Sequence, residues 1–160
     1  MAEKEKMAIV VFSGDLDRAL AAFGLAITAA SMGMEVVMFF TFWGLDILKK
    51  NEGGSRGKGL KRKILNLVNR GSSRRLRLSK FNMLGLGTWM FKGLMKEVKM
   101  PSVDQFITMA KKMGVKIVAC TTIMEVMGLD ENSFRSEVDS LVGAAYFLAE
   151  ARESKISLFI

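Results

Sequence analysis

The only cysteine of the chain, Cys120, is the residue best suited to covalent chemistry. It follows the apolar run Val115–Ala119, which is typical of a buried strand, and it precedes Thr121 and Thr122. Thr122 and Glu125 have the spacing of a capping box, which predicts that a helix begins directly after the cysteine. Unpaired N–H groups at a helix start stabilise a thiolate, and a thiolate attacks sulfane sulfur or a disulfide.

The same cysteine has a simpler interpretation. A lone cysteine at the end of a strand is often a small buried hydrophobic residue without a reactive role. A reactive Cys120 must be accessible and ionisable, whereas a core Cys120 would resist alkylation in the native protein. The spacing alone leaves both interpretations open.

The elements that would position Cys120 follow an alternating pattern. Apolar runs predict four buried strands, at Met7–Phe12, Glu35–Thr41, Val115–Ala119 and Ile156–Ile160. A further short strand is predicted near Glu137–Asp139. Helical patterns lie between the strands, at Leu16–Met32, Ser102–Met113 and Ser140–Glu153. This alternation predicts an α/β protein in which helices cover both faces of a parallel sheet.

Right-handed crossovers place every strand-to-helix loop at one edge of such a sheet, where ligand and catalytic groups collect. Besides Cys120, this edge would gather the candidate pocket residues Ser13, Gly14, Asp15, Thr41, Trp43, Thr121 and Thr122. The backbone N–H groups of Ser13-Gly14-Asp15 could hold an anionic sulfur species, although ordinary helix capping explains the same residues. The aromatic segment Phe39–Trp43 could line the cysteine pocket, an oligomer interface or simply the core.

The absence of histidine excludes several classes of site. Ser-His-Asp and Cys-His nucleophile systems and histidine-ligated zinc or haem cannot form within the chain. A single cysteine also excludes intrachain disulfides and thiolate-rich zinc or iron–sulfur sites, and it favours a reducing, cytoplasmic compartment. Met1–Lys6 is charged and the apolar run behind it is short, so no signal peptide is expected. We therefore predict no metal and no cofactor.

The positive charge of the chain is concentrated in one segment. Residues 53–96 contain 12 of the 24 Lys and Arg residues and none of the 16 Asp and Glu residues, whereas the rest of the chain has a net charge of −4. An amphipathic helix is predicted from the helical spacing of Leu60, Ile64, Leu67 and Val68. Phe81–Phe91 is uncharged and rich in Met and aromatic residues; it is too short to span a membrane but suits an interface.

Three interpretations of this basic segment remain open. It can be a solvated excursion from the domain, which is common for a run of charge. It can dock an acidic protein, or the inner membrane surface through residues 53–96. Nucleic acid binding is the least favoured interpretation, because no known motif accompanies the charge.

Four blocks of sequence resemble the DsrE/DsrF-like family. They read I-V-V-F-S-G-D-L-D-R-A-L, G-M-E-V-V-M-F-F-T-F-W-G-L, V-K-I-V-A-C-T-T-I-M-E-V-M-G-L and A-A-Y-F-L-A-E-A-R-E-S-K-I-S-L-F-I. The blocks occur in the order of the family and fall within residues 7–50 and 100–160. The likeness is greatest to the branch that is linked with sulfur metabolism and has a basic, Met-rich insert.

The resemblance implies a three-layer α/β/α sandwich around a parallel sheet of five strands or so. It implies one domain over residues 1–160, with the basic insert at about 51–100. Cys120 lies at the position where family members accept and pass on sulfur. Rhodanese-like or TusA-like proteins would be the sulfur donor and acceptor, and a homo-oligomer is expected. Some relatives bear further cysteines, which this chain lacks.

The leading hypothesis is a cytoplasmic sulfur-relay protein that carries a persulfide on Cys120, a sulfurtransferase-like carrier rather than a multiple-turnover enzyme. Peripheral contact with the inner membrane face is compatible with it. The alternative is a non-catalytic binding or regulatory module whose basic insert docks a protein partner or a membrane surface. A third hypothesis, a peroxidase-type enzyme, would need an external thiol to regenerate its only cysteine.

Overall fold

The computed structural model describes residues 4–50 and 71–160. The amphipathic helix predicted around Leu60, Ile64, Leu67 and Val68 lies outside these residues. Within the described ranges, no helix has the length and apolar character needed to cross a membrane.

Five parallel strands of the described chain form one sheet in the order β4-β3-β2-β1-β5. The strands are β1 (Lys6–Val11), β2 (Glu35–Phe40), β3 (Lys116–Cys120), β4 (Ser140–Val142) and β5 (Ile156–Phe159). The ends of the central strands are level, since Val11 pairs with Phe40 and Phe40 pairs with Ala119. The predicted parallel sheet of an α/β protein is confirmed.

Helices connect the strands over the two faces of the sheet. They are α1 (Leu16–Ser31), α2 (Leu45–Leu48), α3 (Leu86–Glu97), α4 (Val103–Lys112), α5 (Thr121–Met127) and α6 (Ala144–Arg152). Helix α1 ends where Gly33 takes a left-handed φ of 87°. Helix α4 begins with a capping box, in which the Gln105 N–H donates to Ser102 Oγ and the Ser102 N–H donates to Gln105 Oε1.

Side chains alternate across the sheet and form two apolar layers. The larger layer joins Ile9, Met38 and Ile117 of the sheet to α1 and α4. The smaller layer joins Val37 and Phe39 of β2, among others, to Phe147 of α6. Helices therefore cover both faces, as the three-layer α/β/α prediction requires.

The helix predicted at Ser140–Glu153 begins later than expected. Ser140–Val142 forms β4, and α6 starts only at Ala144 after the extended Gly143. Val142 pairs with Cys120, so ladder hydrogen bonds to β3 take precedence over the local helical pattern. The strand predicted near Glu137–Asp139 lies three residues further along the chain.

Residues 71–100 of the predicted insert pack against the domain. Leu76 and Met95 are buried in the larger layer. The Leu16 N–H donates to the carbonyl oxygen of Arg77 at 2.7 Å, and Ser79 donates two hydrogen bonds to the carboxylate of Asp17. The start of α1 therefore anchors this part of the basic segment.

Candidate functional site

Cys120 lies where β3 ends and α5 begins. It is the last residue of β3 and the N-cap residue of α5, with an extended backbone at φ −74° and ψ 116°. The strand runs one residue further than predicted, while the helix starts directly after the cysteine, as expected. The first-turn N–H groups of α5 therefore follow Cys120 in the chain.

The side chain of Cys120 is almost covered. Its exposed fraction is 5%, and it belongs to the smaller apolar layer with Phe39, Val118 and Phe147. The rings of Phe39 and Phe147 stack with their centroids 5.1 Å apart. Partly exposed side chains of Ile123 and others pack on the same layer. The thiol thus lies in apolar surroundings, as the core-residue interpretation expects.

The capping box predicted from Thr122 and Glu125 is wrong. Because α5 begins at Thr121, Thr122 is already inside the first turn, and no side chain caps the described start of α5. Thr121 instead donates a long hydrogen bond, 3.5 Å, from Oγ1 to the Val142 carbonyl oxygen. This contact joins the first residue of α5 to the end of β4.

The Ser13-Gly14-Asp15 loop uses its polar groups internally. Ser13 Oγ donates to Asp15 Oδ2 at 2.7 Å and accepts from the Asp15 N–H at 3.1 Å. The N–H groups of Phe12 and Ser13 both donate to the carbonyl oxygen of Ile160. Asp15 occupies the N-cap position of α1, but its side chain makes no capping hydrogen bond there. These bonds favour a structural role for the loop.

The loops after β1 and β2 touch through their backbones. A Cβ atom at Gly14 would lie 2.6 Å from the Trp43 carbonyl oxygen, and one at Gly44 would lie 2.1 Å from the Val11 carbonyl oxygen. Only glycine therefore fits at either position. Trp43 itself is 44% exposed.

Of the predicted pocket residues, Thr41 and Thr121 are nearest to Cys120 along the sheet edge. Thr41 is buried and follows Phe40, whose pairing with Ala119 makes Thr41 level with Cys120 on the neighbouring strand. The Ser13 loop follows β1, which β2 separates from β3. Two strand spacings place that loop about 10 Å from the strand of the cysteine. The predicted pocket is therefore only partly assembled around the thiol.

The sequence did not point to an aromatic cluster at this edge. The ring centroid of Phe12 lies 4.9 Å from the ring centroid of Phe42 and 5.6 Å from that of Phe159. Phe159 pairs with Val10, which packs on the same layer as Cys120. The run Phe39–Trp43 indicated that this edge is rich in aromatic residues. Phe159 joins the cluster only because β5 pairs with β1.

The described residues include a cleft near β4 but no group of metal ligands. In the part of the chain that the structure describes, no three acidic or cysteine side chains are grouped as metal ligands would be. A cleft of about 220 Å³ is lined by Arg135, Asp139, Ser140 and their neighbours. It opens at the start of β4, whereas Cys120 pairs with the end of that strand.

Charged side chains gather around Asp104 near the start of α4. Asp104 of α4 accepts hydrogen bonds from Ser73 Oγ at 2.5 Å, Arg74 Nε at 3.1 Å and Arg135 Nη1 at 2.5 Å. Partial burial raises the pKa of Asp104, but these three donors outweigh it and lower the pKa to about 2. Arg135 also forms a bidentate pair with Glu137. This Asp104 cluster joins the middle of the basic segment, at Ser73 and Arg74, to the domain.

Comparisons with known proteins agree with this fold. The model of the DsrE/DsrF/DrsH-like family matches residues 3–159. The chain is 39% identical over 158 residues to the uncharacterized protein YrkE of Bacillus subtilis, covering 99% of this chain and 98% of that protein. It is 32% identical over 167 residues to the sulfur carrier protein DsrE2 of Allochromatium vinosum, covering 99% of each.

A solved structure extends the likeness to three dimensions. A protein of unknown function from Methanobacterium thermoautotrophicum superposes with a TM-score of 0.54 at 10% identity. The match covers 98% of this chain and 100% of that protein, and it supports the fold alone. The family match over nearly the whole chain shows that this protein belongs to the DsrE/DsrF/DrsH-like family, a sulfur-relay family.

Proposed function

We propose that this protein carries sulfur as a persulfide on Cys120, accepting it from a donor protein and passing it to an acceptor. The main observation that supports this proposal is the position of the only cysteine, at the end of β3 and directly before the first residue of α5. The 32% identity to a sulfur carrier protein of Allochromatium vinosum supports the same assignment.

The transfer needs no metal, oxidant or second cysteine in the chain. The Cys120 thiolate attacks the outer sulfur of a donor persulfide, and a new S–S bond forms as the donor S–S bond breaks. The donor leaves as a thiolate and takes up the proton that Cys120 released. Cys120–SH and donor–S–SH thus become Cys120–S–SH and donor–SH, and the reverse exchange loads the acceptor.

Access to the thiol would come from movement of α5. This helix has seven residues, of which Met127 is the one that is buried. Ile123, in its first turn, packs on both apolar layers without being fully covered. A short helix with few buried contacts opens at low free-energy cost, so a docked partner can reach the sulfur by displacing its first turn.

The remaining parts of the proposal follow from the family. The chain acts as one domain over residues 1–160 with an insert at about 51–100, in the cytoplasm and as a homo-oligomer. Rhodanese-like or TusA-like proteins are the proposed partners. Thr41 and Thr121 are the nearest candidates for contacts to the bound sulfur, because they flank Cys120 on the neighbouring strand and in the chain.

The test is persulfide loading followed by intact-mass measurement. Incubation of the native chain with a low-molecular-weight persulfide, without reducing agent, should add the mass of one sulfur atom. Cys120→Ser should add none, and its circular dichroism should match that of the parent chain. The proposal fails if the native chain stays unmodified while the urea-unfolded chain is readily loaded, since the cysteine would then be reactive but sealed.

The burial of Cys120 favours a second candidate, a binding module in which the cysteine is a core residue. It predicts that the native thiol resists iodoacetamide and that loss of Cys120 leaves the activity of the protein in the cell intact. Alkylation kinetics of native and unfolded chains distinguish the two functions. The carrier predicts a slow but measurable native rate that rises when a partner is bound.

A further inference from the structure

The outward side of helix α3 is apolar. Leu86, Trp89, Met90, Gly93 and Leu94 follow the i, i+3, i+4, i+7, i+8 spacing that places side chains on one helix face. Trp89 is 74% exposed, and the other large side chains of this set are more than half exposed. We call these five residues the α3 stripe.

The inner side of α3 is fixed to the domain, so the α3 stripe cannot rotate inward. Gly87 and Met95 are buried, and a Cβ atom at Gly87 would lie 1.7 Å from the Phe81 carbonyl oxygen. Thr88 Oγ1 accepts from the Leu78 N–H at 3.0 Å and donates to Asn82 Oδ1 at 2.9 Å. Ordinary amphipathic helices bury their apolar face, whereas this one exposes it.

The chain before α3 enlarges the same exposed region. Phe81 and Met83 are 82% and 68% exposed, and Leu84 is fully exposed. All three residues take left-handed backbone conformations, which are uncommon for side chains of this size. Large apolar residues in solvent at consecutive turns are typical of a site that is covered by a partner.

The charges beside the stripe are positive. Lys92 and Lys96 border it on one side of α3, and Lys92 Nζ donates to the Arg74 carbonyl oxygen at 2.9 Å. This bond brings the arginine-bearing loop alongside the helix. The described exposed cations of the loop are Arg75, Arg77 and Lys80, together with Arg74, which is paired with Asp104. Glu97 continues the helix face of the stripe at the far end of α3, three residues after Leu94, and it is the first acidic residue after Glu52 in the sequence.

We propose that the α3 stripe is a membrane-contact surface that inserts into the headgroup region of an anionic phospholipid bilayer. Trp, Phe, Leu and Met side chains enter the interface, while flanking Lys and Arg residues contact anionic headgroups. The helix would lie in the plane of the membrane surface, because its inner side stays attached to the domain. This inference stands apart from persulfide chemistry at Cys120.

The charge of the surface favours a membrane over a second copy of the chain as its occupant. The exposed, described cations near the α3 stripe include Arg75, Arg77, Lys80 and Lys96. Two copies that met through their α3 stripes would bring these positive charges together, whereas an anionic bilayer neutralises them. An anionic membrane therefore matches this surface in both charge and apolarity.

The test uses vesicle binding of the full chain with Trp89 as the reporter. The chain has two tryptophans, so Trp43→Phe leaves Trp89 alone. Phosphatidylcholine vesicles with about one third phosphatidylglycerol should shift the Trp89 emission to the blue and protect it from acrylamide. Binding should weaken in pure phosphatidylcholine and on raising NaCl from about 0.1 M to about 0.5 M.

Matched variants locate the contact. Met90→Glu and Leu94→Glu should each weaken co-sedimentation with anionic vesicles by about tenfold or more, and both should fold normally because their side chains already face solvent. Leu148→Glu, on an exposed position of α6, should bind vesicles like the parent chain.

Three results would overturn the proposal. They are no binding to anionic vesicles, equal loss of binding in the Leu148→Glu control, and self-association that Met90→Glu abolishes in the absence of vesicle binding. The last result would assign the α3 stripe to a second copy of the chain. Persulfide loading of Cys120, measured without vesicles, is independent of each outcome.

Discussion

Replacing Asp104 by asparagine should destabilise the protein at neutral pH and remove part of its sensitivity to acid. The carboxylate of Asp104 accepts hydrogen bonds from Ser73, Arg74 and Arg135, which belong to two other segments of the chain. Asparagine keeps the shape of the side chain but not its charge. The substitution therefore tests how strongly the charge of Asp104 attaches the middle of the basic segment, at Ser73 and Arg74, to α4.

The pKa of Asp104 sets the size of the effect. Lowering it from 3.8 to about 2 corresponds to at most about 2.4 kcal/mol of stability at neutral pH. Solvent reaches 25% of the side chain, so screening reduces the expected contribution to about 1–2 kcal/mol. A carboxyl whose folded pKa is depressed stabilises the native state above its unfolded pKa. The contribution is therefore complete above about pH 5 and disappears between about pH 4 and pH 2.

Urea unfolding followed by circular dichroism measures this difference. Asp104→Asn should lower the free energy of unfolding by about 1–2 kcal/mol at pH 7, and the gap to the parent chain should nearly close by about pH 2. Glu97→Gln, at an exposed position of α3, should change stability by less than about 0.5 kcal/mol at either pH. A gap of the same size at both pH values would refute the reasoning, because it would mean that the charge of Asp104 is irrelevant.

Two further predictions concern packing. Phe147→Ala should destabilise the protein by about 3 kcal/mol and speed alkylation of Cys120, because Phe147 stacks on Phe39 in the layer that covers the thiol. The prediction is contradicted if stability falls by that amount while the rate of Cys120 alkylation in native buffer is unchanged. Gly44→Ala should destabilise the chain, because its Cβ would lie 2.1 Å from a backbone oxygen. Gly93→Ala has open space around its Cβ and should therefore stabilise α3 by about 0.5–1 kcal/mol. Equal melting temperatures for the two glycine variants would refute this contrast.

The strand positions were predictable because apolar runs of this length have few alternatives. Met7–Val11 and Glu35–Phe40 are rich in β-branched and aromatic residues and end at polar or glycine-containing loops. The strand Ser140–Val142 was not predictable, since its three residues precede an alanine-rich helix and are extended only because they pair with Val118–Cys120. Pairing between distant segments overrides local preference at short strands.

The candidate site was predictable in position but not in environment. The residue order Val-Ala-Cys-Thr-Thr placed Cys120 between a strand and a helix, which the structure confirms. Its 5% exposure depends on Phe39 and Phe147, which lie 81 residues before it and 27 residues after it. No local pattern indicates such contacts. The capping box predicted from Thr122 and Glu125 failed for a local reason, because α5 already begins at Thr121.

The amino-acid sequence by itself determined the class of fold, the single thiol, the absence of histidine chemistry and the separation of basic charge into residues 53–96. These are properties of composition and of short-range periodicity, which do not depend on distant contacts. Only the tertiary structure decided that Cys120 lies beneath aromatic side chains, that Asp104 gathers donors from two other segments, and that α3 turns its apolar side to solvent. Each of these features depends on contacts between residues far apart in the sequence, and the packing of the whole chain determines those contacts.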